Sequence, residues 1–276
     1  MVTLTNEEYK FIDLAVYWPP RQILVGRRLA RTFGPLGEGK LTVEWNKIAE
    51  VGDAQLFRGE KVTLNEDIID KTVSNLDIPA IARGFRIPRR SLESSRTSGV
   101  PLDVGSAKSA SYKVALLEDT LVLKSSGGIN GFYDSAGQTT AAPGTWATAA
   151  NILTTVNDAV NKLMGVNIFA PYNIVLNPTD YNRLFALVAN TSTFYYDVVK
   201  QRIGGEIFQS PALPAGSGMI LATADQGWFD LPLGVDIHAE VEELPLDQFK
   251  DFYGVVWETV TPRIREANAI CTMTGL

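Results

Sequence analysis

Cysteine and histidine are almost missing from this chain: of its 276 residues, one is cysteine (Cys271) and one is histidine (His238). A single cysteine excludes an intramolecular disulfide, which fits a reducing compartment. A single histidine means that imidazole general-base catalysis or a histidine metal site would have to rest on that residue alone. Positive charge is also short. Lys and Arg number 25 against 31 Asp and Glu, a formal net charge of −6. That balance argues against a chain whose main task is gripping nucleic acid, because phosphate binding needs a basic surface. No run approaches the roughly 20 apolar residues of a membrane span. The first residues carry acids early and no basic region, so they do not read as a secretory signal. What is present is an ordinary globular mixture, 45% hydrophobic and 20% charged, long enough for one large domain or two interleaved ones.

Along the chain, Pro19 and Pro20 are expected to interrupt any long helix in the first 35 residues. From Lys40 the pattern becomes two-fold: Leu41, Val43 and Trp45 point one way, and Lys40, Thr42, Glu44 and Asn46 the other. A second run, Lys61–Leu64, carrying Val62 and Leu64, repeats the alternation after a glycine-containing connection. Together they read as a long β-ribbon over residues 38–77. An isolated two-stranded ribbon is barely stable in water, so its narrow apolar face calls for a partner chain. Residues 107–124 change to helical period, with Ala110, Val114, Leu117 and Leu121 inward, Lys108, Lys113, Glu118 and Lys124 elsewhere, and Ser125–Gly128 as the stop. Residues 127–144 read as a loop or linker. A second helix is expected from about Thr145 to Met164, with Ile152, Val156, Val160 and Leu163 inward and Gly165 as its cap. Asn173–Leu176 is a short buried strand. Asn177-Pro178 opens a further helix, whose apolar face is Tyr181, Leu184, Phe185 and Val188. After Gly204-Gly205 the chain is mostly β. Met219–Ala222 is buried, and Val235, Ile237, Ala239 and Val241 alternate with Asp236, His238, Glu240 and Glu242. Tyr253–Thr259 and the last ten residues are extended. The order predicts an α+β fold rather than a regular βαβ winding.

Chemistry-bearing patterns are few. Gly34-Pro35-Leu36-Gly37-Glu38-Gly39-Lys40 has the spacing of a phosphate-binding loop. However, Leu41 replaces the magnesium-binding hydroxyl, and the residues that follow alternate like a strand where the motif needs a helix. It reads instead as a glycine hinge at the root of the ribbon. His238 sits on the polar face of an alternating strand beside Asp236 and Glu240, which points to a solvated face rather than a metal site. Cys271, among small and apolar neighbours, reads as a buried inert thiol. No G-x-S-x-G elbow accompanies any serine, and Gly216-Ser217-Gly218 is a turn. The acids Glu240, Glu242 and Glu243 and the run Arg83, Arg86, Arg89, Arg90, Arg96 read as surface, the arginines also as intersubunit contacts. Phe194, Tyr195 and Tyr196, after the polar stretch 190–193, are either interface anchors or caps of a local core. No catalytic residue, metal site or cofactor is assigned.

These residues resemble the encapsulins, the linocin-like family, whose subunits share the HK97-like fold of tailed-virus major capsid proteins. The resemblance rests on Gly26-Arg27-Arg28 before Gly34-Pro35-Leu36-Gly37, and on Leu117-Glu118-Asp119 before Gly127-Gly128-Ile129-Asn130-Gly131-Phe132. It continues through Ala170–Leu176 with Tyr181 and Leu184, Gly204–Ile207 with Ser210–Leu213, Phe229–Leu231 with Leu233–Asp236, and Glu258 with Ala267. The order of these pieces over roughly 250 residues is more specific than any one of them. The resemblance implies an N-terminal arm (1–37), an extended loop (38–77), a peripheral domain with a long spine helix (78–144 and 235–276) and an axial domain (145–234). It implies a shell built from many copies, in the cytoplasm, around an enzyme held by a short targeting peptide, with no membrane and no catalysis of its own. It further implies cargo docking at Ile23, Leu24 and Arg27, and an axial pore loop between Asn190 and Gly204 bearing Thr193, Phe194, Tyr195 and Tyr196. The intersubunit arm would use Leu41, Val43, Trp45, Val62 and Leu64. The alternative implied by the same fold is a viral major capsid protein, enclosing DNA in a virion. Viral versions often carry a scaffolding segment ahead of the arm, which favours the nanocompartment. An enzyme is the third reading, and the missing catalytic set argues against it.

Overall fold

The computed structural model describes residues 4–48, 71–98, 102–243 and 251–276. The chain opens with helix α1 (Asn6–Ile23), started by a capping box: Glu8 accepts from the Thr5 amide at 2.7 Å, and the Glu8 amide donates to Thr5 Oγ1 at 3.3 Å. Arg96 also holds Glu8, and its side-chain hydrogen bond lowers the Glu8 pKa to about 2. Contrary to the expectation from sequence, Pro19 and Pro20 lie inside this helix. The reason is local compensation. Pro20 cannot donate to the Val16 carbonyl one turn back, and the buried Ser111 hydroxyl donates to that carbonyl instead.

A one-turn helix α2 (Gly26–Leu29) and strand β1 (Arg31–Phe33) follow. Strands β2 (Thr42–Ile48) and β3 (Lys71–Asp77) form an antiparallel ribbon in which Thr42 faces Asp77. The partner of β2 is thus 71–77, whereas the expected second run, 61–64 with Val62 and Leu64, lies outside the described residues. The hinge is less free than its glycines suggest. Leu36 and Gly37 donate their amides to the carbonyls of Leu233 and Gly234, each at 2.9 Å. Gly34 has φ +147°, and a Cβ there would stand 2.2 Å from the Leu233 carbonyl oxygen, so only glycine fits.

Next come β4 (Ala80–Ile87), α3 (Arg89–Ser98) and the spine helix α4 (Gly105–Leu123). Two residues of α4 depart from the predicted face: Leu117 is 44% exposed, while Glu118 is fully buried. The buried stripe instead runs through Ala107, Ala110, Ser111, Val114, Ala115, Glu118 and Leu121–Leu123, because α4 is covered on two sides, by α1 and by the sheet carrying β4. Hairpin β5 (Ser125–Ser126) with β6 (Ile129–Asn130) turns at Gly127-Gly128, both with positive φ.

The segment read as a linker contains β7 (Gln138–Ala141). Helix α5 (Ala150–Gly165) then buries Ile152, Val156, Val160 and Leu163 as predicted. Its cap differs from the expected Gly165. Asn167 takes the left-handed conformation (φ 63°), with Asn167 and Ile168 amides returning to the carbonyls of Met164 and Leu163, a Schellman closure. Strand β8 (Tyr172–Leu176) is wholly buried, and Asn177 caps α6 (Pro178–Arg183) through its side chain. That helix is short, so Leu184 is buried but Phe185 projects outward. Helix α7 (Tyr195–Ile203), β9 (Gly204–Gln209), β10 (Ser217–Ala222), β11 (Phe229–Glu243), β12 (Phe252–Val260), β13 (Arg263–Ile264) and β14 (Ile270–Thr274) complete the fold.

Two five-stranded sheets result. One has the order β1-β11-β12-β4, with β13 on β11; the other is β7-β14-β10-β8-β9. The last strand therefore does not rejoin the first sheet, as a division at residue 235 had placed it. β14 lies between β7 and β10 with α5 packed against it, and Ile270, Cys271 and Met273 are all near zero exposure. Replacing Ser111 by Ala should destabilise the protein by about 1–3 kcal/mol, the cost of an orphaned buried carbonyl. Adding Pro20→Ala should recover part of that loss, as a double-mutant cycle of denaturation midpoints would show.

Candidate functional site

The turn 25–28 is the place where distant parts of the chain converge. Gly26 lets α2 lie against α4, since a Cβ there would meet Val122 Cγ1 at 2.6 Å. At that separation Asp119 reaches the start of α2, accepting from the Val25 and Gly26 amides at 2.9 Å each. Its other oxygen accepts from Ser210 Oγ at 2.6 Å, in the segment after β9. Burial pushes the Asp119 pKa up, against the pull of these three donors.

Arg27 points into the first sheet. Its guanidinium donates Nε and Nη2 to Glu118 (2.7 and 3.1 Å), Nη2 to Glu258 on β12 (2.7 Å) and Nη1 to Asp236 on β11 (2.7 Å). Glu118 and Glu258 are buried, and Asp236 is exposed. Burial works against the Arg27 charge, but Glu118 and Glu258 outweigh it and raise its pKa. Arg28 reaches the other sheet, pairing with Glu206 at 3.1 Å and lying 4.6 Å from the Phe208 ring centre. Sequence reading took Glu118 for a solvated helix residue and Arg27 for a cargo contact. Glu118 is instead fully buried, while Leu24 is buried and Arg27, 19% exposed, turns its guanidinium toward the subunit's own carboxylates. Ile23 ends α1, and its side chain falls outside the described residues.

What α1 does present is its opposite face. Ile12, Val16, Pro19 and Pro20 are buried, while Phe11 (54%), Leu14 (71%) and Trp18 (58%) stand exposed with Tyr9 and Tyr17. Residues 11, 14 and 18 share one helical face. This signal, an amphipathic pattern behind the Thr5–Glu8 capping box, was available in the sequence but masked by the two prolines.

A second apolar surface surrounds residues 181–196. The loop returns on itself through Val188 N to Thr193 O (2.9 Å) and Tyr195 N to Ala186 O (3.0 Å). Phe185 stacks on Tyr196 at 5.3 Å and 10°, with Tyr181 and Phe194 packed edge-on. Of the four residues assigned to a pore loop, Thr193 and Phe194 are exposed and Tyr196 half-buried, but Tyr195 is buried and opens α7. The loop therefore ends at 194, not 204. In the ribbon, Leu41 is exposed, Val43 buried and Trp45 half-buried. Trp45 lines a cleft of about 320 Å³ with Asn75–Asp77, the hairpin residues 128–130 and Arg263, so the root of the ribbon leans on its own subunit.

Catalytic chemistry finds little purchase. His238 Nδ1 lies 2.9 Å from the Asp236 carbonyl and Nε2 3.2 Å from Glu240, with the ring 4.5 Å from Trp257. Burial pushes the Cys271 thiol up to about 11, far from a thiolate at neutral pH.

Comparison with known proteins fits this picture of a scaffold with exposed apolar faces. A family model described as "Encapsulating protein for peroxidase" matches residues 1–249. The chain belongs to that family, the encapsulins. A shell protein of Myxococcus xanthus, type 1 encapsulin EncA, is 28% identical over 275 residues, covering 99% of this chain and 94% of that one. A diheme-cytochrome–encapsulin shell fusion of Kuenenia stuttgartiensis is 26% identical over 282 residues, covering 99% and 74%. Among solved structures, the virus-like particle from Pyrococcus furiosus superposes with a TM-score of 0.72 at 18% identity, covering 97% of this chain and 99% of that one. The capsid of Myoviridae phage XM1 gives 0.67 at 13% identity over 89% of each. The fold is thus the HK97-like capsid fold. This encapsulin is a structural shell subunit that assembles with copies of itself, not an enzyme. Replacing Arg27 by Met should cost about 3–5 kcal/mol, because two buried carboxylates lose the one cation that pairs with them among the described residues, and particle yield should fall with the melting temperature.

Proposed function

We propose that copies of this chain close into an icosahedral nanocompartment in the cytoplasm that encloses an enzyme, and that the enzyme's short apolar tail docks on the outer face of α1. The observation that carries the docking face is the exposed stripe Phe11, Leu14 and Trp18. A contiguous apolar helix face of this kind marks an interaction surface. It replaces the docking site implied at Leu24 and Arg27. In the same reading, the sheet of β4, β11 and β12 with α4 is the peripheral part, and the sheet under α5 and α7 is the axial part. Phe185, Leu187 and Phe194, all exposed, meet their counterparts around a symmetry axis. The ribbon β2–β3 reaches a neighbouring subunit.

Negative-stain micrographs of the purified chain should show uniform closed particles, and a monomer on size exclusion would refute the shell. Particles that pack DNA would support the viral alternative. Particles isolated from the source organism and bearing Leu14→Glu with Trp18→Ala should keep their diameter but lose their co-purifying protein. Unchanged contents would remove α1 as the docking face. Because Thr42 and Asp77 face each other across the ladder, the ribbon can be excised there and joined by a short turn. That deletion should leave a folded subunit that assembles poorly, as circular dichroism and particle counts together would report.

A further inference from the structure

Around Arg27 the count of charges does not balance: one guanidinium meets three carboxylates, two of them buried. The Arg27 donors are consumed by both oxygens of Glu118, one of Glu258 and one of Asp236. Glu258 Oε1 is left buried with no partner among the described residues. The Glu118 carboxylate lies beside it, since Arg27 Nη2 donates to one oxygen of each, and two ionised carboxylates have no proton with which to bond. Two unbalanced negative charges at this depth would each carry a heavy desolvation cost. A carboxylic acid paired with a carboxylate removes one charge and satisfies the orphaned oxygen in one step.

We infer that Glu258 and Glu118 share a single proton in the folded subunit, making the junction of α2, α4, β11 and β12 a latch that loosens when the proton is lost. Among the described residues, the charged groups around the pair are these. Arg27 is the cation from α2; Asp236 contributes a solvated charge from β11; and Asp119, the next residue on α4, is tied to the Val25 and Gly26 amides and to Ser210. From β4, the residue opposite Glu258 is the apolar Ile81. Arg28 and His238 are engaged elsewhere, with Glu206 and with Glu240. Burial first, and then Glu118, hold the Glu258 pKa well above the ordinary carboxyl range, against Arg27. The sign follows from linkage. Above the ordinary carboxyl value the folded state holds a proton that the unfolded chain has released, so stability falls with rising pH until the pair itself deprotonates.

The consequence for a shell rests on the proposed function: this junction carries the root of the ribbon, since Leu36 and Gly37 are hydrogen-bonded to β11, so alkaline loosening would release the arm. The test is a series of melting curves between pH 5 and pH 9 on the wild type and on Glu258→Gln, whose amide mimics the protonated acid. The wild type should match the variant at low pH and fall progressively below it as pH rises, with the variant's profile flatter. Parallel profiles would overturn the inference. Should Glu258→Gln fail to fold, the infrared carboxylic-acid band of the wild type provides the second measurement. A protonated carboxyl present at pH 7 and lost at high pH together with stability supports the shared proton, and its absence at pH 7 refutes it. Micrographs at pH 6 test assembly separately: if no particles form, the melting profiles still decide the latch on the subunit alone.

Discussion

The two carboxylates at the middle of α4, Glu118 and Asp119, decide where the rest of this subunit sits. Adjacent on a helix, they diverge by about 100°, and each takes a different half of the same turn. Asp119 fixes the backbone of Val25 and Gly26 and reaches across to Ser210 beside the second sheet. Glu118 fixes the Arg27 side chain, which in turn holds β11 and β12 of the first. Arg28 completes the joint by lying on Phe208 of the second sheet. Val25 and three residues of α2 thus set the relation of both sheets to the spine helix. Ion pairs this deep seldom add net stability over an apolar filling, but removing one member is expensive. Their strong directional demands define a single arrangement of the strands they join.

How far the sequence reveals this depends on the range of the interaction. Periodicity resolved what local physics controls: the alternating Val235–Glu242 strand, the buried face of α5, the Asn177-Pro178 helix start. It failed where a partner lies far along the chain. Glu118 looked solvated because charge on a helix usually is, and its partner is 91 residues away. Pro19 and Pro20 looked like breakers because nothing nearby signals that Ser111 will serve the Val16 carbonyl. β7 and β14 escaped placement since their pairing is parallel and spans over a hundred residues. The resemblance carried by Gly26-Arg27-Arg28 and Leu117-Glu118-Asp119 marked residues that meet in the fold, but it did not show that Arg27 pairs with Glu118, Asp236 and Glu258.

Exposed apolar residues gather on the outer face of α1 and on the loop around Phe194, while Phe33, Leu41, Leu117 and Phe169 stand at scattered positions. Single exposed hydrophobic residues need no explanation, but Phe11, Leu14 and Trp18 in helical register and the stacked Phe185–Tyr196 pair are organised surfaces. Each is backed by rigid structure. α1 is held at its start by the capping box and in its last turns by Ser111, while the aromatic loop is closed by its own backbone hydrogen bonds. Pre-ordered apolar faces lose little entropy on docking, which suits contacts that must form many times over in one particle.

Separation of these surfaces matters as much as their existence. α1 and the ribbon both spring from the first sheet and its spine helix, whereas the aromatic loop belongs to the second. A shell that closes by symmetry must present its contacts at fixed mutual angles, and small errors at each subunit would accumulate around the particle. The angle between the two sheets therefore fixes how these surfaces are disposed on the subunit. In this chain it is governed by hydrogen bonds of 2.6–3.1 Å to Asp119, Glu118 and Arg28, whose geometry tolerates far less sliding than an apolar contact of the same area. A buried polar joint between greasy working faces gives the subunit a defined shape before any neighbour arrives.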